Sequence, residues 1–188
     1  DSLTTLGSPA ILQNGSALLP NGTTPPAPSV GAQAGPSVAQ VGAKYFVAFE
    51  DDSAAKGKDI RLRSMTSAFV AEQAPGAALF VNGGAGESGD QARPVVRAST
   101  SGSLLIAWQD GAQSNKLFAR SFTPPTTFGT AVSFGAADAG RGVDLAPLGD
   151  GFIATWVQGG TVKYRLLARD GLPRAGEQTV AGESTSRD

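Results

Sequence analysis

Pro94-Val95-Val96-Arg97-Ala98, then Leu104-Leu105-Ile106-Ala107-Trp108-Gln109, then Lys116-Leu117-Phe118-Ala119-Arg120-Ser121-Phe122 is the stretch that decides the fold. Its three short runs are separated by Thr100-Ser101-Gly102 and by Asp110-Gly111-Ala112-Gln113-Ser114. Runs of this length, bounded by Gly, Asp, Asn and Ser, read as strands in close succession. The middle run is apolar at every position through Trp108. Both of its faces therefore ask for burial, unlike a strand of a one-sided sheet.

The same order recurs on either side. Upstream lie Pro36-Ser37-Val38-Ala39, the turn Gly42-Ala43, a run over 44–50 and a third over 59–65. Downstream lie a run over 143–147, the turn Gly149-Asp150-Gly151, a run over 152–158, the turn Gly159-Gly160 and a run over 161–168. Asp-Gly and Gly-Gly pairs suit hairpins because such turns need positive φ. An aromatic stands near the end of each middle run, at Phe49, Trp108 and Trp156, and an arginine in each third run, at Arg63, Arg120 and Arg165. A weaker fourth run follows each, over 77–81, 131–134 and 177–180. A period of roughly 45 to 60 residues is the mark of a repeat array such as a β-propeller. A two-sheet sandwich would show cleaner alternation of apolar and polar positions.

The expected fold is all-β, a β-propeller-like array of about three four-stranded blades over 35–90, 91–140 and 141–188. The outer strands of a partial N-terminal blade and a linker are expected within 1–34. Propellers have about 4–8 blades, so the ring is expected to be incomplete. An open arc would bare an apolar blade face at each end. The start at Asp1, without Met, reads as a mature or excised segment.

Composition narrows the chemistry. The chain has 188 residues, with 25 Gly and 12 Pro, which leave few segments for long helices. Its net charge of −1 and lack of Lys/Arg runs argue against a nucleic-acid binder or a polybasic membrane patch. No apolar run approaches the ~20 residues needed to span a bilayer as a helix. There is no Cys and no His, which removes disulfides, thiol nucleophiles, Cys or His metal sites, the Ser-His-Asp triad and any imidazole base.

Three stretches carry a resemblance: Gly89-Asp90-Gln91-Ala92-Arg93-Pro94-Val95-Val96, Ile106-Ala107-Trp108-Gln109-Asp110 and Leu117-Phe118-Ala119-Arg120-Ser121-Phe122. Together with Gly35-Pro36-Ser37-Val38-Ala39, Phe46-Val47-Ala48-Phe49, Ile60-Arg61-Leu62-Arg63 and Val81-Asn82, the chain resembles tandem repeats of large secreted or surface proteins of bacteria. The third unit keeps Gly151-Phe152-Ile153-Ala154-Thr155-Trp156 and Arg165, but has Val143-Asp144-Leu145 where the pattern asks for Pro-x-Val. The resemblance implies blades and a bacterial extracellular or cell-surface location. It implies no catalytic residues.

Candidate site residues follow from the side chains. Arg63, Arg120 and Arg165 could grip a carboxylate if they converged, because the guanidinium fork matches its geometry; otherwise they stack on aromatics or tie blades together. Asp110 stands in the matching place of the acidic loop and joins them as a ligand-binding candidate. Clustered carboxylates suit Ca²⁺, and Asp51, Asp52 and Asp59 are the candidate ligands, although their spacing follows no known calcium loop. No other cofactor is indicated. Trp108 and Trp156 read as core rather than as a sugar platform. The first functional reading is a non-enzymatic secreted or cell-surface binding, adhesion or structural module. Two alternatives stay open. One is part of a carboxylate-dependent glycoside hydrolase or lyase propeller, or a glycan-binding lectin. The other is a subunit whose open blade edges meet another copy, a partner protein or the rest of a longer chain.

Overall fold

The computed structural model describes residues 31–52, 57–68, 70–73, 77–83 and 89–180. Most of the partial blade expected within 1–34 falls outside them. The described residues contain strands and no helix. A first sheet runs β1 (Gln33–Val41), β2 (Lys44–Asp51), β3 (Asp59–Thr66) and β4 (Leu79–Phe80). A second holds β5 (Gln91–Ala98), β6 (Leu104–Asp110), β7 (Lys116–Thr123), β8 (Thr127–Phe128) and β9 (Val132–Ala136). A third runs β10 (Val143–Leu148), β11 (Gly151–Gln158), β12 (Thr161–Leu167) and β13 (Gln178–Thr179). All pairings are antiparallel.

The second sheet departs from the four strands expected. Its outer strand is broken: β8 pairs with Phe122 and Thr123 at one end of β7, and β9 with Lys116–Ala119 at the other. Gly129 lies between them, where a Cβ would come within 2.3 Å of Ser121 Oγ. Pro124-Pro125 ends β7 and turns the chain back.

The sheets fan out from their lead strands. β5 packs against both β1 and β10, while the outer strands β4, β9 and β13 pack mainly within their own sheets. This is a propeller-like arrangement, and it explains the doubly apolar middle strands. One core, between the first and second sheets, joins Phe46, Ala48, Ile60 and Leu62 to Leu104, Ile106, Trp108 and Phe122. A second, between the second and third, joins Leu105, Ala107, Leu117 and Phe134 to Phe152, Ala154, Trp156 and Leu167, and a third, on the first sheet, gathers Val47, Phe49, Met65 and Ala78. Every residue of β6 is buried. Trp108 and Trp156 are core side chains.

The register makes the repeats equivalent residue by residue. Val47 faces Arg63, Ile106 faces Arg120 and Ala154 faces Arg165. Each lead strand has a left-handed residue near its start: Gly35 (φ 56°) within β1, Arg93 (φ 55°) within β5 and Gly142 (φ 68°) just before β10. In β1 and β5 this residue sits in a bulge, between Ala34 and Ser37 and between Ala92 and Val95. For Arg93 and Gly142 a side chain from the preceding sheet bonds the amide. Glu50 Oε1 accepts the Arg93 N–H at 2.9 Å, and Gln109 Oε1 accepts the Gly142 N–H at 3.3 Å. We call this the latch. The equivalent residue of the third sheet is Val157, which cannot accept a bond.

Candidate functional site

Two of the repeated arginines, Arg120 and Arg165, are built into the seams between sheets. Arg120 donates from Nη1 to the Val81 carbonyl of the first sheet at 2.8 Å and from Nε to the Gly129 carbonyl at 2.6 Å. Its guanidinium also lies 4.8 Å from the Phe128 ring centroid. Arg165 does the same one seam further on, reaching Phe134 O at 2.7 Å and Ala175 O at 2.8 Å. Arg63 is buried, donates to Gln73 O at 3.4 Å, and has its guanidinium pKa pushed down by that burial. The three occupy separate places in successive sheets and are not gathered around one ligand.

The acidic loop is a hydrogen-bonded junction. Asp51 and Asp59 face each other across β2 and β3. Asp51, fully buried, pairs with Arg61 at 3.0 Å. Asp59 accepts from Asn82 Nδ2 at 2.8 Å, and the same Asn82 amide reaches Gln91 Oε1 at 3.1 Å. Asp52 is exposed and accepts the Ala32 N–H. Asp110 is buried and caps its own loop, accepting the backbone N–H of Gln113 at 3.2 Å and its Nε2 at 3.0 Å. Among the described residues no group of three acidic side chains is arranged to hold a metal ion. Protein donors meet each of the carboxylates of Asp51, Asp52 and Asp59. Glu50 adds an ion pair to Lys58 at 3.1 Å, and that hydrogen bond raises the Lys58 pKa.

Different residues stand out at the lead strands. Arg97 of β5 donates from Nη2 to Asp144 Oδ1 of β10 at 3.0 Å and from Nη1 to Ser37 Oγ of β1 at 3.3 Å. One guanidinium thus ties all three lead strands. Asp144 Oδ1 also accepts the Leu145 N–H at 2.8 Å, while its Oδ2 has no protein donor among the described residues. Its side chain is 69% exposed. Neither residue is repeated: the register puts Ser37 and Val95 in the place of Asp144, and Ala39 and Ala146 in the place of Arg97. Asp144 borders a cleft of about 260 Å³ lined also by Arg141, Thr155, Val157 and Val162. Beyond it, Asp138 caps the β11–β12 turn, and the Gly159 and Gly160 N–H groups hold its carboxyl below the usual range.

Sequence reasoning missed this cluster. Its signal was Val143-Asp144-Leu145, where the repeat pattern asks for Pro-x-Val. Repetition marks what holds sheets together, so a break in it is where another demand shows.

No family model matches the chain, and no curated protein matches it. Among solved structures it is similar to a candidate glycoside hydrolase from Parabacteroides distasonis, at 14% identity and a TM-score of 0.52, covering 81% of this chain and 51% of that one. It is also similar to a glycosyl hydrolase from Bacteroides ovatus, at 8% identity and a TM-score of 0.48, covering 82% and 50% of the two chains. A structure from work on the GH130 family of mannoside phosphorylases, which contains glycoside hydrolases that target β-1,2 mannosidic linkages in Candida mannan, matches at 8% identity and a TM-score of 0.48 over 81% and 50%. The chain spans about half the length of each. The likeness to the first is one of fold.

Proposed function

We propose that this chain is an arc of three β-propeller-like blades, a non-enzymatic module that binds carbohydrate at the cleft beside Asp144 on the outward face of the third sheet. The observation that supports it most directly is the contrast between repeated and unrepeated polar groups. Arg120, Arg165, Glu50 and Gln109 are engaged at seams, whereas Asp144 is exposed, unrepeated and held by Arg97 at the mouth of a cleft. A carboxylate fixed by a guanidinium is a ready acceptor for ligand hydroxyls. The fold shared with a candidate glycoside hydrolase favours carbohydrate as the ligand class. Hydrolysis of the usual kind needs two carboxyl groups about 5–9.5 Å apart, and Asp144 is the one carboxylate lining this cleft. Binding is therefore the reading this arc favours, with an extracellular or cell-surface setting and a partner, another copy or the rest of a longer chain at the open face of the first sheet.

Calorimetry and a reducing-end assay on one panel of neutral oligosaccharides test this together. We expect saturable binding, weakened about tenfold or more in Asp144→Ala by loss of a charge-assisted bond, and no new reducing ends. Release of reducing ends that Asp144→Asn abolishes would make the arc catalytic and overturn the reading.

A further inference from the structure

We propose that the outward face of the third sheet binds an extended neutral oligosaccharide lying across its four strands, in contact with Asp144, Thr155, Tyr164 and Gln178. This rests on the carbohydrate-binding reading above and gives that ligand a footprint.

The argument is a comparison of equivalent rows. Pairing places Ser37, Ala48, Leu62 and Leu79 in one row across the first sheet. Val95, Ala107, Ala119 and Val132 form the same row in the second. Both rows lie on the face that packs against the next sheet, and they are almost wholly apolar. In the third sheet that row reads Asp144, Thr155, Tyr164, Gln178. A carboxylate, a hydroxyl, a phenol and an amide have replaced the centre of a core. Asp144 and Gln178 are exposed, and Thr155 and Tyr164 are half-buried.

On either side the face stays apolar. Ala146, Ile153 and Leu166 form one flanking row, and Val157, Val162 and Val180 the other. The face is thus not the uniformly apolar surface expected of an open blade end. Nor does it repeat the seam pattern, because Val157 stands where Glu50 and Gln109 latch the following sheet. Hydrogen-bonding groups between two greasy strips suit a sugar chain, which offers hydroxyl edges and C–H faces. Strands lie about 4.8 Å apart, so the row spans about 14 Å from β10 to β13, room for a run of sugar units rather than one. Asp144 is the charged group of the row and would repel a carboxylate, and the other three are a hydroxyl, a phenol and an amide, so a neutral chain fits better than an acidic one. The cleft sits at the Asp144–Thr155 end and fixes where the chain begins.

Manno-, xylo-, cello- and laminari-oligosaccharides, each as mono-, tri- and hexasaccharide, would be titrated by calorimetry and by amide chemical-shift mapping. At least one trisaccharide should bind about tenfold tighter than its monosaccharide, with shifts running from β10 to β13. Tyr164→Phe and Gln178→Ala should each weaken the trisaccharide about three- to tenfold, since each removes one hydrogen-bonding group. Gln178 is exposed on a two-residue strand, so its loss leaves the fold intact; Asp150→Asn, at the far turn, serves as control. Equal affinity for mono- and trisaccharide, with both variants unaffected, would overturn the footprint while leaving binding at Asp144 standing. Shifts confined to β1 and β5 would do the same. Failure of every sugar to bind would overturn both readings.

Discussion

Trp156→Ala should lower the unfolding free energy by about 3–5 kcal/mol, the range for removing a large buried aromatic. Trp156 is 3% exposed and meets Phe134 edge-on at 5.8 Å between centroids. Its neighbour Gly135 is glycine for a reason the seam makes plain: a Cβ there would lie 2.8 Å from Trp156 Cζ2. The ring lies directly on the backbone of β9, so truncation opens a cavity between two rigid sheets. Those sheets cannot close over it freely, because the Gln109 latch and Arg165 hold their separation. Trp108→Ala removes the equivalent ring from the other seam, where it stacks on Phe118 at 5.8 Å, and should cost a similar amount. Urea denaturation of the purified variants checks both. A loss under about 1 kcal/mol for either would mean that its ring is not part of a packed seam.

The second large effect is expected at Arg120. Arg120→Ala should cost about 3 kcal/mol, because two charge-assisted bonds disappear and the Val81 and Gly129 carbonyls lose their donor. Arg120→Lys should recover less than half of that, since an ammonium is a point charge and cannot reach two carbonyls as a fork does. Arg165→Ala should be milder, about 1–2 kcal/mol, because its bond to Ala175 lies at the exposed end of the seam. The same denaturation series reads all three. If Arg120→Lys matched the native protein, the two-carbonyl tie would be refuted.

Strand order, turn positions and the burial of both tryptophans were legible in the sequence, because each follows from periodicity within one or two strands. The arginine repeat was legible as a pattern, with tying blades together among its readings, and its particular partners were not. Knowing that Arg120 ends on Val81 O requires knowing which sheet stands beside it. The latch was hidden for a related reason. Glu50 and Gln109 differ in type, and their partners Arg93 and Gly142 look unrelated until their shared left-handed backbone is seen. Arg93 reads in the sequence as the ordinary residue before Pro94. The polar row of the third sheet was the least accessible of all. Asp144, Thr155, Tyr164 and Gln178 belong to four different strands, and only the pairing lines them up. Within each strand they read as single polar residues among apolar ones.

Amide hydrogen exchange at Arg93 and Gly142 tests most directly whether successive seams are built on one repeated plan. Both N–H groups should exchange slowly in the native protein. Glu50→Ala should speed exchange at Arg93 about tenfold without touching Gly142, and Gln109→Ala should do the reverse. Fast exchange at both amides in the native protein, or the same response of both to either substitution, would contradict the repeated seam.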